Sequence, residues 1–380
     1  MNTILRARWA WLPSGLTPWV GIEVDSSGNI LAHHAIPPNE TVDHALLLPG
    51  FINAHLHLEL SDQQNRIPAN QAGEPMVEWV KRSAAIRQEP SVTVMQSAAQ
   101  SMHEAGVIAC IDTTNGINTA PYLTNAGLSG TILHERLGWG PISNEQLHQT
   151  QLTDSAFRHR LTAHAPISCR PERLQQMLAH SDIPCTIHCD ESAEDAAFLQ
   201  HGQGPWAEFL DELNRPWRAA HRSAPSGVQL LNQLGLLQPN LGLVHLVFAQ
   251  NEDLDVVAEK QCTAVVCPRS NIHISGKTSN IEGMIARDIP FAIGTDSLAS
   301  SPDLDPLAEA SLLCAHYPLV AHHHWIDALT IHGARLLNRP ELGTLAVGAQ
   351  PGVIGVKIPS IQNPIALLLD GTPWERYWAA

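Results

Sequence analysis

The chain has 380 residues, enough for one large α/β domain with a smaller domain attached. It carries 22 Lys and Arg against 37 Asp and Glu, and the net charge of −15 disfavours binding to nucleic-acid phosphates and anionic lipid surfaces. The first residues contain no apolar run that would serve as a signal peptide or membrane span. We therefore expect a cytoplasmic protein with neither nucleic acid nor membrane as a partner.

The first 45 residues have the pattern of a small β domain. Two strand-like runs flank the turn sequence SSGN at 26–29, which is typical of an antiparallel hairpin. Short strands separated by Gly and Pro return near the carboxyl end. We predict a small β-sandwich domain formed from both chain ends, residues 1–48 and 341–380, and a larger domain over residues 49–340.

From residue 46 onward, eight short apolar runs alternate with segments long enough for helices. The runs are LLLPGFINAHLHL (46–58), GVIACIDTT (106–114), GTILHERLG (130–138), RLTAHAP (160–166), CTIHCDE (185–191), LGLVHLVF (241–248), TAVVCPRS (263–270) and FAIGTDS (291–297). Runs that are apolar at nearly every position are typical of strands buried on both faces in a parallel sheet. Eight such units predict an α/β fold, a closed TIM-like (β/α)8 barrel.

One long connection interrupts this pattern between the fifth and sixth runs. Residues 199–227 form an irregular, Pro-interrupted insertion. A long connection at the mouth of a barrel is more often a substrate lid than a disordered loop. We expect this insertion to cover the active site.

The seven cysteines do not suggest a special site. Their number is odd and no C-x-x-C sequence occurs, which argues against a disulfide framework and against a Cys-rich zinc site. Several lie inside predicted strands, where a small apolar side chain is the ordinary expectation.

Ionisable residues gather where a barrel enzyme needs them, at the carboxyl ends of the predicted strands. His55 and His57 are two residues apart, which places both imidazoles on one face of a strand. His188, His245 and Asp296 end the fifth, sixth and eighth runs. Three imidazoles and a carboxylate suit zinc or iron and leave one coordination position for water. A single strand histidine is usually a core residue, but burying five unpaired polar groups costs about 1–3 kcal/mol each.

These motifs resemble those of the amidohydrolase superfamily. The matching segments are, in chain order, PGFINAHLHLE, TAHAP, IHCDE, LVHLVF, CPRSNIHISG and IGTDSLAS. The resemblance covers essentially the whole chain and implies that His55, His57, His188 and Asp296 are metal ligands. Binuclear members bridge two metals through a Lys or Glu in mid-barrel, whereas none of the four lysines here lies in one of the eight predicted barrel strands. We expect one divalent metal, with zinc preferred and iron as the alternative.

The segment IHCDE is similar to the deaminase branch of this superfamily. The resemblance implies that Glu191, three residues after His188, protonates a ring nitrogen of the substrate. It also implies that Asp296 takes the proton from water and that His245 orients the attacking oxygen. An alternative role for Glu191 is a helix N-terminal carboxylate that interacts with the dipole of the following helix.

Within that branch, HAP, CPRSN and GTDSLAS are most similar to the aminofutalosine deaminases. The resemblance implies hydrolysis of 6-amino-6-deoxyfutalosine to futalosine and ammonia, a step of menaquinone biosynthesis, with His164 contacting the substrate. We also expect Glu135, Arg136 and Trp79 at the barrel mouth, with Arg136 pairing a substrate carboxylate. Trp79 is as consistent with helix packing as with stacking on the nucleoside. Ile167 stands where the family usually has an aromatic residue, which weakens the expectation of stacking there.

Several alternatives stay open. S-adenosylhomocysteine, methylthioadenosine and adenosine deaminases are close neighbours in sequence pattern, and a pyrimidine or triazine aminohydrolase would use the same barrel. A metal-binding protein without activity would keep the ligands but would not need Glu191. The run His322 to His324 is interpreted as a surface feature beyond the eighth strand. The oligomeric state is open, and a homodimer is the assembly considered.

Overall fold

The computed structural model describes residues 2–140, 156–357, 364–370 and 375–378. The strands are β1 Thr3–Leu12, β2 Gly15–Val24, β3 Ile30–Ala35, β4 His44–Pro49, β5 Phe51–Leu56, β6 Val107–Thr114, β7 Ser129–Arg136, β8 Phe157–Ala163, β9 Cys185–Cys189, β10 Leu241–His245, β11 Thr263–Val266, β12 Phe291–Ile293, β13 Val353–Lys357 and β14 Glu375–Trp378. The α-helices are α1 Met76–Ile86, α2 Val92–Glu104, α3 Ala120–Asn125, α4 Pro171–Met177, α5 Ala193–His201, α6 Pro205–Glu212, α7 Gly227–Gln233, α8 Asn251–Glu259, α9 Pro268–Ser275, α10 Ile281–Ile285, α11 Pro306–His316, α12 His322–Leu329, α13 Ile331–Leu336 and α14 Pro364–Leu369. Two 3-10 helices span Leu58–Gln63 and Pro340–Leu342.

The two ends of the chain contribute to one mixed sheet. Its strand order is β14-β13-β4-β1-β2-β3, in which β1 and β4 are parallel and the other neighbours are antiparallel. The predicted hairpin is confirmed, because β2 and β3 are joined by a turn in which Gly28 has φ +82° and Asp25 Oδ1 accepts from the Ser27 and Asn29 amides. Within the described ranges these strands form one hydrogen-bonded sheet, and the β-sandwich stays a prediction. The predicted domain boundaries stay a prediction.

The eight predicted strands are all present, as β5 to β12. They form two four-stranded parallel sheets, β5-β6-β7-β8 and β12-β11-β10-β9. Hydrogen bonds join the sheets at both seams: the Asp296 amide donates to the His55 carbonyl (3.1 Å), and the His188 amide donates to the His164 carbonyl (3.0 Å). The strands therefore follow one another in a circular order, and we call them the strand ring.

The first predicted run, residues 46–58, is divided between the two parts of the fold. Its first half is β4 of the terminal sheet and its second half is β5 of the strand ring. Gly50 lies between them, where an added Cβ would meet the Pro351 carbonyl oxygen at 2.8 Å. A uniformly apolar run does not show such a division, because both halves are buried.

The connection at 199–227 is more regular than the sequence predicts. It contains helix α6, in which Pro205 occupies the first turn, where its missing N–H and fixed φ are tolerated. Trp206 and Trp217 of the connection are buried. The Trp206 Nε1 donates to the Asp195 Oδ1 at 2.9 Å and the Trp217 ring packs against Phe198, so both residues fix the connection to α5. All seven cysteines are free thiols and six are buried. No helix within the described ranges has the length and apolarity needed to cross a membrane.

Candidate active site

The strand ring brings the predicted ligands together at the carboxyl ends of its strands. His55 lies near the end of β5, His57 follows it, and His188 lies in β9. His245 ends β10, and Asp296 follows β12. All five side chains are buried. Parallel strands that end on one side of a sheet therefore gather five groups that are far apart in sequence.

Three of these histidines point their Nε2 atoms at one another. The His188 Nε2 lies 3.3 Å from the His57 Nε2 and 3.2 Å from the His55 Nε2. Ligand atoms about 2.0–2.1 Å from a tetrahedral zinc ion lie about 3.3 Å apart, so this spacing fits the divalent metal of such a site. The nearest Asp296 oxygen, Oδ1, is 3.7 Å from the His57 Nε2. These residues would hold the metal.

The protonation of the histidines also suits metal binding. The His188 Nδ1 lies 2.9 Å from the His164 carbonyl oxygen, to which it donates, and this leaves the Nε2 lone pair for a ligand bond. Burial lowers the pKa of His188 to about 3, and burial together with the other imidazoles lowers the pKa of His55 well below its usual range. Both rings are therefore neutral, as coordination requires.

Asp296 is held as a carboxylate. Its Oδ2 accepts a hydrogen bond from the Ser270 hydroxyl at 2.6 Å. The Ser300 Oγ lies 2.8 Å from the Ser270 Oγ. Burial favours the neutral acid, but His57, His245 and the Ser270 hydroxyl outweigh it and hold the pKa of Asp296 below its usual range. The charged carboxylate can bind a cation or accept a proton.

Glu191 and His245 form a second pair beside this cluster. The Glu191 Oε2 lies 3.4 Å from the His245 Nε2, and the His245 Nδ1 donates to the Asn271 Oδ1 at 2.8 Å. Burial, and then the charge of Asp296, raise the pKa of Glu191 well above its usual range. The N-terminal cap of α5 is formed by Ser192 and Asp195, so that helix does not need Glu191 as its cap.

The backbone is strained around these groups. Asp190, His245, Leu246 and Asp296 have φ values of 49°, 76°, 50° and 57°, in the left-handed region that residues other than glycine rarely adopt. Such conformations persist only where the surrounding structure imposes them, and they concentrate at functional sites.

A cavity of about 400 Å³ opens onto the cluster. Trp79, Glu135 and His164 line it, as predicted from the sequence, although these roles in substrate binding stay predictions. Ile167 also lies on the wall. Arg136 is not in the lining; its guanidinium donates to the Glu135 carbonyl at 2.8 Å. Neighbouring side chains of a strand point to opposite faces, so the inward direction of Glu135 turns Arg136 away.

Further groups of the site were missed from the sequence. Ser270 and Asn271 of α9 orient Asp296 and His245. Asn115 donates to the Glu135 Oε2 at 2.8 Å on the cavity wall, and Arg87 and Arg215 also line the cavity. The motif CPRSN contains Ser270 and Asn271, but nothing in the sequence pattern indicates that they contact Asp296 and His245. Asn115, Arg87 and Arg215 lie in connections between secondary-structure elements, and only the folded structure shows that their side chains face the cavity.

The remaining features lie away from the cavity. His322, His323 and His324 begin helix α12 and belong to none of the clusters with metal-binding spacing in the described part of the chain. Pro351 accepts a hydrogen bond from the Gly50 amide beside the terminal sheet.

Comparison with known proteins places these features in a family. The amidohydrolase family model matches residues 46–371. A 5-methylthioadenosine/S-adenosylhomocysteine deaminase of Moorella thermoacetica is 27% identical over 339 residues, which cover 83% of this chain and 75% of that protein. An aminodeoxyfutalosine deaminase of Deinococcus radiodurans is also 27% identical, over 319 residues that cover 77% of this chain and 74% of that protein.

The fold has a solved counterpart. The crystal structure of Helicobacter pylori aminofutalosine deaminase in complex with methylthio-coformycin superposes with a TM-score of 0.81 at 19% sequence identity, covering 98% of this chain and 97% of that one. At this identity the likeness concerns the fold alone. The family model covers most of the chain, and the prediction of a hydrolase that acts on a C–N bond is confirmed. The chain belongs to the amidohydrolase family.

Proposed function

We propose that this protein is a mononuclear, metal-dependent deaminase of an adenine nucleoside, with the strand ring acting as a closed (β/α)8 barrel and residues 1–48 with 341–380 as its accessory β domain. The observation that supports this most strongly is the buried Glu191 carboxyl, which lies 3.4 Å from His245 beside the three-histidine cluster. A hydrolase that only needs an activated water has no use for a second, protonated carboxyl group there. Deamination of a purine does, because a ring nitrogen must gain a proton.

We assign the metal to His55, His57, His188 and Asp296, and nitrogen-rich ligation favours zinc over other divalent ions, with iron as the alternative. A bound divalent cation supplies Lewis acidity, which makes water available as a nucleophile near neutral pH. Asp296 accepts the proton that this water loses. His245, whose Nδ1–H is held by Asn271, presents the Nε2 lone pair toward the attacking oxygen.

Glu191 supplies the proton for the other half of the reaction. Its raised pKa keeps it protonated near neutrality, so it donates to the ring nitrogen next to the amino-bearing carbon. The new C–O bond forms at that carbon and the C–N bond to the amino group breaks. As the C–N bond breaks, the proton taken up by Asp296 passes to the leaving amino group, and the hydroxyl proton of the new C–O group returns to Glu191 as the C=O bond forms. One water is consumed, one ammonia leaves, and the product is a 6-oxopurine nucleoside that keeps the proton on its ring nitrogen.

The shape of the cavity suits a nucleoside. Its polar part is formed by His57, His188 and Asp296, whereas Met76, Trp206, Phe209 and other apolar groups line the rest of the wall. The polar purine edge would face the cluster, and the rest of the nucleoside would contact the apolar wall. Trp79 on this wall is placed to pack against the base or the ribose.

Among adenine nucleosides we propose 6-amino-6-deoxyfutalosine as the substrate, which would place the protein in menaquinone biosynthesis in the cytoplasm. The Deinococcus radiodurans relative and the motifs around His164 and Asp296 support this assignment. The Moorella thermoacetica relative supports methylthioadenosine or S-adenosylhomocysteine as the second candidate. Free pyrimidine bases and triazines lack an equivalent of the ribose, for which this cavity provides room.

A panel of nucleosides tests the proposal. The zinc-loaded protein should release ammonia from aminofutalosine, methylthioadenosine, S-adenosylhomocysteine or adenosine, with the highest kcat/KM for aminofutalosine. Cytidine and aminotriazines are the matched controls, because they also carry an amino group on a ring amidine. Release of ammonia from these controls but from no adenine nucleoside would overturn the proposal.

A further inference from the structure

A lone guanidinium lies at the mouth of the cavity. Arg215 lines the cavity and its side chain is exposed. In the part of the chain that the structure describes, no ion pair, hydrogen bond or ring contact involves this side chain. In a protein with a net charge of −15, an arginine that faces a substrate cavity without an acidic partner calls for an explanation.

The neighbouring acidic groups are engaged elsewhere. Asp211 pairs with Arg218 and accepts from the Trp217 Nε1 at 2.9 Å, and Glu212 pairs with Lys81 at 3.2 Å. The second arginine of the lining differs from Arg215. The Arg87 guanidinium donates to the buried Glu59 carboxylate at 2.6 Å, which neutralises its charge. Arg215 is therefore the uncompensated cation of the two.

The backbone holds Arg215 in place at the end of α6. Its amide donates to the Leu210 carbonyl at 2.9 Å, and its carbonyl accepts from the Trp217 amide at 2.9 Å. Asn214 before it has φ 52°, the left-handed conformation that closes helix ends. The buried Trp217 indole anchors the chain just beyond. The base of the Arg215 side chain is thus positioned before any ligand arrives, which lowers the entropic cost of binding.

The surface next to Arg215 is apolar. Leu137 and Leu213 both line the cavity, yet they are 48% and 45% exposed. Exposed apolar side chains that rim a cavity are typical of a ligand-binding surface. A ligand that fits this edge has an apolar segment against the two leucines and an anionic end near the guanidinium.

We infer that Arg215 selects adenine nucleosides whose ribose carries an apolar 5′ extension that ends in a carboxylate. This inference rests on the proposed function, since the purine carbon that reacts must lie at the buried cluster. The ribose is attached at the opposite end of the purine and so points to the mouth. Arginine binds a carboxylate through two parallel N–H donors, an interaction that a neutral extension cannot make.

The test compares two synthetic substrates that differ in one group, 5′-(3-carboxyphenylthio)-5′-deoxyadenosine and 5′-phenylthio-5′-deoxyadenosine. The wild-type protein should turn over the carboxylate compound with a kcat/KM about ten- to a hundred-fold higher, the range expected of a charge-assisted hydrogen bond. Arg215→Met should remove this preference by raising KM for the carboxylate compound far more than KM for the neutral compound.

Arg222→Met is the matched control, because Arg222 is an exposed arginine of the same connection that lies outside the cavity lining. It should keep the wild-type preference. Arg87→Met distinguishes the second arginine of the lining. A preference that survives Arg215→Met, or that disappears only with Arg87→Met, would overturn the assignment, as would the lack of any preference in the wild type.

Binding measurements separate this inference from the proposed function. If neither compound releases ammonia, the proposed function fails, and calorimetric binding of the carboxylate compound then decides the role of Arg215. Weaker binding to Arg215→Met than to the wild type and to Arg222→Met supports the assignment. Equal binding to all three overturns it.

Discussion

The two carboxyl groups of the site are given opposite protonation states by their surroundings. Asp296 lies against imidazoles and the Ser270 hydroxyl, which stabilise the anion. Glu191 is as deeply buried but faces the charge of Asp296, which disfavours a second anion. A base and an acid therefore lie side by side, which is the arrangement that the proposed deamination requires.

Glu191→Gln tests the acid. The amide has nearly the same shape but no acidic proton, so the variant should keep its metal and fold and lose about 10²- to 10⁴-fold in kcat. Steady-state kinetics with elemental analysis of the same sample measures both. Asp195→Asn, which alters the cap of the following helix, is the control for mere helix capping. A Gln variant with nearly wild-type kcat would show that Glu191 is not the proton donor.

The pH dependence of the rate follows from the same two groups. Because the active form needs Asp296 ionised and Glu191 protonated, kcat should fall when acid protonates Asp296 and fall again when base ionises Glu191. The pKa of Asp296 is lowered and that of Glu191 is raised, so the profile should be a wide bell with its maximum between the two. The alkaline limb should be absent from the residual activity of Glu191→Gln. An unchanged alkaline limb in that variant would assign it to another group.

The first turn of helix α9 positions two side chains of the site. Its first residues orient two predicted catalytic side chains, through Ser270 to Asp296 and Asn271 to His245. Arg269 between β11 and these residues fixes the helix to α11, because its Nε lies 2.6 Å from an oxygen of the fully buried Glu309 carboxyl. The motif CPRSN thus combines an anchor with two positioning contacts.

Arg269→Met should be strongly destabilising. It leaves the buried Glu309 without its counter-charge, a change that typically lowers the free energy of unfolding by about 3–5 kcal/mol. Combining it with Glu309→Leu should recover part of this loss, since no lone charge is then buried. Thermal unfolding of the single and double variants measures the difference. A double variant that is less stable than Arg269→Met would show that the ion pair is not what matters at this contact.

The helix of the long connection gives the site its outer wall. The sequence predicts an irregular lid here, because the prolines of residues 199–227 indicate interruptions. In the structure Pro205 begins α6, and Trp206, Phe209 and Leu210 of this helix line the cavity. The connection therefore contributes apolar side chains to the cavity wall, and the prediction of a lid alone does not identify these side chains.

Most of the central fold could be predicted from local patterns. Six of the eight strands of the ring lie within the predicted runs, and β7 and β8 overlap theirs but begin one and three residues earlier, since buried parallel strands are apolar at nearly every position. The cluster of His55, His57, His188, His245 and Asp296 followed from the rule that such sites gather at strand ends. Neither inference needs knowledge of how distant segments pack.

Part of what the sequence could not supply depends on contacts between distant segments. The division of one apolar run at Gly50 depends on Pro351, far along the chain, whereas the outward direction of Arg136 follows from the inward direction of Glu135 on the same strand. The carboxylate partner expected of Arg136 is accordingly proposed for Arg215. The terminal sheet likewise joins strands from both ends of the chain.

Metal content is a property of the whole molecule. The four proposed ligands lie close together and none of the four lysines lies in a strand of the ring, so we expect one equivalent of divalent metal per chain. His55→Ala should lose both the metal and the activity. His323→Ala is the control, because His323 lies at the start of α12 away from the cluster. Elemental analysis that finds two equivalents per wild-type chain would contradict a mononuclear site.

The central claim is hydrolytic deamination, and the most direct test is the product balance from aminofutalosine in water enriched in ¹⁸O. The account predicts one ammonia for each 6-oxopurine nucleoside formed, with the heavy oxygen at C6, from the zinc-loaded protein and almost none from Glu191→Gln over the same time. Ammonia without the labelled 6-oxopurine, or an adenine nucleoside recovered unchanged after prolonged incubation with metal-loaded protein, would contradict it.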